Sequence, residues 1–260
     1  MQQPLIRSEI GLLATMVLAI ATAVLAPSVA QFDHYHAFAD QRHLLGLPCA
    51  LDVLSNLPFA LLGVWGLARL RSSNDGQPVG VQRPLTVLFF AGLILTALCS
   101  AWYHLRPDDA GLALDRLGMV AAFAGLLGLS AADRVSARAG QWTASAVLAL
   151  GPVAVFVWAS SGNLLPWSVL QGGGMLLILA LALRQPISGA WGLPLVAVIA
   201  WYVLAKALEL GDHVVFELSQ QLVSGHTLKH IAAAMAAWPV TMLMHNGAQA
   251  RPWQRQSVRA

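Results

Sequence analysis

Five residues in this chain are of types and spacings that could do chemistry. Ser100 and His104 are four apart, and so are His226 and His230. In a helix each pair shares one face, one turn apart in height. Two imidazoles stacked in this way can both reach one metal ion. Asp115 follows His104 by eleven residues, at the head of an apolar stretch. Zinc is satisfied by three imidazoles and keeps a fourth position for water, whose pKa it lowers to about 7. A carboxylate nearby can take a proton and pass it to a leaving amine. A hydroxyl can donate to an oxyanion that forms at an attacked carbonyl. His104, His226 and His230 suit the metal, Asp115 the proton transfer and Ser100 the oxyanion. Singly, each has an ordinary structural reading: an interfacial histidine, a helix cap, a hydroxyl bonded one turn back. What sets them apart is their coincidence at one depth.

That depth follows from the elements that carry them. The 260 residues are 57% hydrophobic and 10% charged, against about 25% charged in a soluble domain. This leaves too little polar surface for a water-exposed globule, and lipid is the alternative solvent. Apolar stretches predict eight spans: Gly11–Leu25, Ala50–Leu70, Leu85–His104, Leu117–Ala132, Thr143–Ala159, Trp167–Leu183, Leu193–Leu210 and His226–His245. Basic loops carry Arg69, Arg71 and Arg83, then Arg134 and Arg138, then Arg184, then Arg251, Arg255 and Arg259. They alternate with acidic loops carrying Asp33 and Asp40, Asp108 and Asp109, and Glu209, Asp212 and Glu217. By the positive-inside rule the C-terminus is cytoplasmic and the acidic loops face out. All five candidate residues then lie just under the outer, periplasmic surface. Short Arg-rich loops suit a bacterial inner membrane.

The first stretch has two readings. Arg7, an apolar run and Pro27-Ser28-Val29-Ala30 resemble a signal peptide. The length of the run and Glu9 favour a retained helix. The expected organisation is residues 1–30 as N-terminal helix or signal peptide, 31–250 as a seven-helix membrane domain and 251–260 as a cytoplasmic tail. The two cysteines, Cys49 and Cys99, have no metal-site spacing. No basic block interleaved with aromatics points to nucleic acid.

Ser-x-x-x-His, an Asp at the head of the next span and His-x-x-x-His in the last one together resemble the alkaline ceramidases and their wider superfamily, which includes the progestin/adiponectin-type receptors. Leu54-Ser55-Asn56-Leu57 is similar to the segment opening the ceramidase core. The resemblance covers about residues 32–246. It implies an all-α seven-transmembrane bundle, here with an extra N-terminal helix, in which His104, His226 and His230 hold zinc and Ser100 and Asp115 serve catalysis. The implied activity is hydrolysis of the amide bond of ceramide-like lipids to a sphingoid base and a fatty acid, a step of sphingolipid metabolism. Eukaryotic members carry an acidic calcium-binding segment before the core. Here it is reduced to Asp33 and Asp40, with Asp52 further on, which weakens any implication of Ca2+. His34, His36, His43 and His213 read as solvated loop residues, and His245 lies at the opposite end. Lys206 and Lys229 are the only lysines; Lys229 is expected to snorkel. Gly172-Gly173-Gly174 permits close packing or a bend.

Two other functions remain open. A non-catalytic zinc-containing lipid receptor could use the same scaffold, and turnover would separate it from an enzyme. A haem protein could use paired histidines but leaves Asp115 and Ser100 unexplained. There is no HExxH or GxSxG, and no inverted repeat of the transporter kind.

Overall fold

The computed structural model describes residues 4–44, 46–71 and 77–246, with side chains to 244. Part of the first basic loop, residues 72–76, and the tail at 251–260 lie outside the described residues. The described chain is all-α, and six of its helices are long and apolar enough to cross a membrane. These are α1 (Arg7–Leu25), the pair α2 (Ala50–Leu54) and α3 (Leu57–Leu70) counted together, α4 (Gln82–Leu105), α5 (Asp109–Arg134), α6 (Ala137–Ser161) and α7 (Leu165–Ala182). Large apolar side chains such as Leu18, Val24, Phe156 and Leu183 stand exposed on their outer faces. Such surfaces suit hydrocarbon rather than water, and the chain is a helical membrane protein.

The last two expected spans differ from expectation. Leu193–Leu210 becomes α8 (Leu195–Leu210), whose 16 residues rise about 24 Å, short of the ~30 Å hydrocarbon core. A seven-residue helix, α9 (Asp212–Leu218), follows it directly. His226–His245 is split into α10 (Gly225–Met235) and α11 (Trp238–Asn246). Pro239 stands at the second position of α11 and has no N–H to continue the ladder of α10. Span two is interrupted for a related reason. Pro58 opens α3, while Ser55 Oγ and Asn56 Nδ2 both donate to the Asp52 carbonyl, each at 2.9 Å. Side chains have taken over the carbonyl that a continuous helix would use.

Helices α4 and α5 form the most closely packed pair. A Cβ on Gly92 would stand 2.2 Å from the Ala122 backbone nitrogen, and one on Gly125 would stand 2.4 Å from that of Phe89. Each helix therefore sets a glycine against the other's main chain, the small-residue packing that lets membrane helices touch. The Gly172-Gly173-Gly174 run has a lesser role. Helix α7 continues through it; Gly172 and Gly173 meet nothing within 4 Å, and Gly174 faces the Leu127 side chain. Gly173 and Gly174 border an apolar cavity of about 460 Å³ between α1, α6 and α7.

Glu9, the acidic residue out of place in a leader sequence, has partners on α6 and its cap. Its carboxylate accepts from Ser136 Oγ at 2.5 Å and from Arg138 at 2.8 Å. At the other end of α1 the Val29 N–H donates to Asn163 Oδ1 at 3.1 Å, and Leu164 N–H donates to the Val29 carbonyl at 2.7 Å.

Candidate metal centre

His104 reaches the site from the last turn of α4, and His226 and His230 from the first turns of α10. One ring nitrogen from each lies within 4.8 Å of the others, and all three residues are buried. The ring centroids are 4.9 Å apart in every pair. His104 Nε2 and His226 Nε2 approach to 3.3 Å. Two nitrogens each about 2.0–2.1 Å from one zinc at the tetrahedral angle stand about that far apart. Among the described residues this is the one histidine, cysteine and carboxylate group with such convergence.

Hydrogen bonds reveal which nitrogens carry lone pairs. Ser55 Oγ donates to the Asp52 carbonyl at 2.9 Å and lies 2.7 Å from His230 Nδ1. A hydroxyl has one proton, and a carbonyl only accepts, so the His230 Nδ1–H donates to Ser55. His230 Nε2 is then unprotonated, and it is buried without a partner. This is the arrangement in which an outer hydrogen bond fixes the tautomer of a metal ligand. Lys229 Nζ lies 3.1 Å from His226 Nε2. An ammonium only donates, so that nitrogen too offers a lone pair, here facing a cation. His104 Nδ1 is also buried and unpartnered. The cluster could hold a metal ion.

The start of α10 is tightly fixed. Ser224 caps it, accepting from the Thr227 N–H at 3.0 Å. Thr227 Oγ1 donates to Asp52 Oδ1 at 2.6 Å, tying α10 to α2. Asp212 joins three segments: Oδ1 accepts from the His226 N–H at 2.7 Å, and Oδ2 from the Ala39 N–H at 2.9 Å. Gly225 is obligatory here, since a Cβ would lie 2.3 Å from the Leu208 carbonyl oxygen.

The segment between α1 and α2 covers the cluster. The Phe38 ring lies 4.7 Å from that of His104 and 4.5 Å from that of His226, centroid to centroid. Two histidines expected to be solvated instead hold this segment down. His36 Nε2–H donates to Asp109 at 3.1 Å, while its Nδ1 accepts from the Tyr103 hydroxyl at 2.8 Å. His213 Nε2–H donates to the Ala37 carbonyl at 3.2 Å. His43 is exposed, as expected. Asp40 is occupied by both nitrogens of the Arg42 side chain that face it, each at 2.7 Å, and the guanidinium holds its carboxyl below the usual range. Asp40 is thus engaged by Arg42 and Asp52 Oδ1 by Thr227, while Asp52 Oδ2 is buried without a hydrogen-bond partner.

Ser100 is buried on the His104 face of α4, and Asp115 on α5 is near enough to interact with it. Asp115 also senses the charges of Lys229 and Glu209. Lys229 does not snorkel. It is largely buried, with Glu209 Oε1 at 3.4 Å, and Glu209 also holds Lys206 at 2.5 Å. Sequence reasoning pointed to the three histidines, Ser100 and Asp115, and the structure brings them to one end of the bundle. It missed Ser55 as a histidine partner, the Asp212 link, Phe38 as cover and the Lys229–Glu209 pair. For Ser55 a signal existed in the Ser-Asn-Leu-Pro interruption of an apolar span. For Phe38 there was none.

The fold and site define a helical membrane protein with a buried three-histidine cluster. The chain matches no protein-family model, and no curated protein matches it in sequence.

Proposed function

We propose that this protein is a zinc-dependent intramembrane hydrolase that cleaves the amide bond of ceramide-like N-acyl lipids, releasing a sphingoid base and a fatty acid. One observation carries the reading: three buried imidazoles converge beside a Ser100–Asp115 pair at a single end of an apolar bundle. His104, His226 and His230 would hold the ion; the Ser55 contact leaves His230 Nε2 free for it, and the lone pair of His226 Nε2 faces Lys229. When bound, zinc supplies Lewis acidity and a water acidic enough to give hydroxide at neutral pH.

The other roles belong to the chain. Asp115 accepts the proton released as water adds to the amide carbon and delivers it to the departing nitrogen, so that water is divided between the acid and the amine. Ser100 donates its hydroxyl hydrogen to the carbonyl oxygen as negative charge grows there. Phe38 and the segment that carries it shield the reacting groups from bulk water. Apolar helix faces let the lipid enter sideways from the bilayer. With the arginine distribution placing the acidic loops outside, the substrate would come from the outer half of the membrane.

The test is metal content and turnover on one sample. Elemental analysis of detergent-purified protein should give about one zinc per chain, with fatty acid released from N-acyl sphingoid lipids. Zinc with no release from any N-acyl lipid would replace the enzyme by a lipid receptor on the same scaffold. Equal zinc in the wild type and in a variant with His104, His226 and His230 all changed to Ala would end the metal assignment.

A further inference from the structure

Arg116 is the next residue after Asp115, and the helix turns it about 100° away, toward α6, α7 and the segment after α1. It is 3% exposed. Its guanidinium lies over the Trp158 ring at 4.0 Å, with the Trp167 and Tyr35 rings each at 5.8 Å. Nη2 donates to Gln31 Oε1 at 2.7 Å. The remaining groups are unusual. Arg116 Nη1 and Gln31 Nε2 are both buried, and neither has a hydrogen-bond partner. Among the described residues no carboxylate forms an ion pair with Arg116. Its other polar neighbours are the Tyr35 hydroxyl and, at longer range, Asp115.

A buried charge is costly unless paired and hydrogen-bonded, and aromatic faces give back only part of that cost. Among the described residues several buried charges have ionic partners: Glu9 has Arg138, Asp40 has Arg42, and Asp133 has Arg134 together with the Gly192 and Leu193 N–H groups. Arg116 has no such partner, and among the cations it is the one that combines near-complete burial with no ion pair. Two unused donors, one of them on a cation without a counter-ion, match a group that accepts two hydrogen bonds and carries negative charge.

We propose that Arg116 and Gln31 form a binding site for an oxyanion, a phosphate or carboxylate carried by a membrane lipid. A lipid is the favoured source because the site sits at the same end of α5 as Asp115, on a transmembrane helix, behind two tryptophans that suit the boundary between headgroups and hydrocarbon. The site is independent of the hydrolase reading: it uses none of the three histidines, and a receptor would need it as much as an enzyme.

The experiment is thermal unfolding of the full chain in a non-ionic detergent, titrated at constant ionic strength with four additives. These are dioleoyl phosphatidate, oleate, dioleoylglycerol and inorganic phosphate. A ligand that binds the folded state alone raises Tm with the logarithm of its concentration relative to its dissociation constant. Phosphatidate or oleate should raise Tm progressively, dioleoylglycerol should not, and tryptophan emission, to which Trp158 and Trp167 contribute, should shift saturably with a defined midpoint. In Gln31→Leu, which keeps the arginine on its aromatic stack, the midpoint should move to roughly tenfold higher lipid, the loss of one hydrogen bond to a charged group. Arg116→Met should abolish the effect; should that variant fail to fold, Gln31→Leu decides alone. Stabilisation by inorganic phosphate at the same concentrations supports the oxyanion site with a free ion as its source. No stabilisation by any oxyanion, or an equal response in Gln31→Leu, overturns the proposal and leaves Arg116 as a structural cation satisfied by water.

Discussion

Ser55 and His230 are 175 positions apart in sequence, yet Ser55 Oγ stands 2.7 Å from His230 Nδ1. Because the serine proton is committed to the Asp52 carbonyl, the contact holds the imidazole in the tautomer that leaves Nε2 free. Ser55→Ala should therefore weaken metal retention about 10–100-fold, the usual scale for partners of metal-bound histidines. Chelator competition on purified protein measures this. Unchanged retention would mean that the hydroxyl has no part in ordering the ligand.

His226→Ala and Asp115→Asn should separate binding from chemistry. The first removes a ring from the cluster and should lower bound metal. The second should keep the metal and lose about 10²–10⁴-fold in turnover, the range for a lost acid–base group. Elemental analysis beside fatty acid release reads both. Full activity in Asp115→Asn would remove the proposed proton carrier.

Lys229 places a positive charge 3.1 Å from a nitrogen that a cation would need. Unit charges 4 Å apart interact by about 4 kcal/mol at an effective dielectric of 20, so removing one charge should be felt at the metal. Lys229→Met should bind metal on the order of tenfold or more tightly. Glu209 stays paired in that variant, through Lys206 at 2.5 Å. Chelator titration of the variant against wild type checks the sign; weaker binding would show that the lysine helps to build the site.

Gly225→Ala should damage both the fold and the site. The added carbon would meet the Leu208 carbonyl oxygen at 2.3 Å and Asp212 Cα at 2.7 Å, and main chain cannot rotate aside as a side chain does. Overpacking costs about 1–3 kcal/mol. Because His226 is the next residue, Tm and bound metal should fall together. A loss of Tm with full metal content would detach the packing of α10 from the geometry of its histidines.

The contribution of the Asp40–Arg42 pair in the covering segment should be insensitive to pH across the neutral range. Arg42 depresses the Asp40 carboxyl in the folded state. A group whose pKa is lowered on folding stabilises above its unfolded value, near 3.9, and loses that contribution as pH falls through the folded value. The Tm difference between wild type and Asp40→Asn should stay constant from about pH 5 to 8 and shrink below about 4. A difference that changes between pH 6 and 8 would mean that the Asp40–Arg42 pair is not what the substitution reads.

The membrane class of the chain was legible because lipid allows few alternatives: apolar runs of about twenty residues mark helices whatever else they do. The convergence of His104 with His226 and His230 could be read because helical spacing and arginine asymmetry place residues by depth. Depth is not contact, however. Hydropathy places Ser55 in a span but does not show that Pro58 and Asn56 break the helix and turn the hydroxyl toward His230. Nor does it reveal that α10 and α11 are separate, since Ala236 and Ala237 are as apolar and helix-favouring as their neighbours. Lys229 was misread because snorkelling describes a lone lysine, whereas its partner Glu209 is twenty residues upstream on another helix.

The mutual seating of Gly92 and Gly125 divides the site into two kinds of part. Ser100, His104 and Asp115 ride on α4 and α5, whose backbones are locked against one another, so their spacing is that of a single casting. His226, His230 and Phe38 ride on α10 and on the covering segment, and both of these are attached through the two oxygens of Asp212. Under the proposed function, an opening that admits a lipid would be a departure of the second set from the first. Release of Asp212 would loosen the cover and a histidine together, so that access and metal grip would trade against each other.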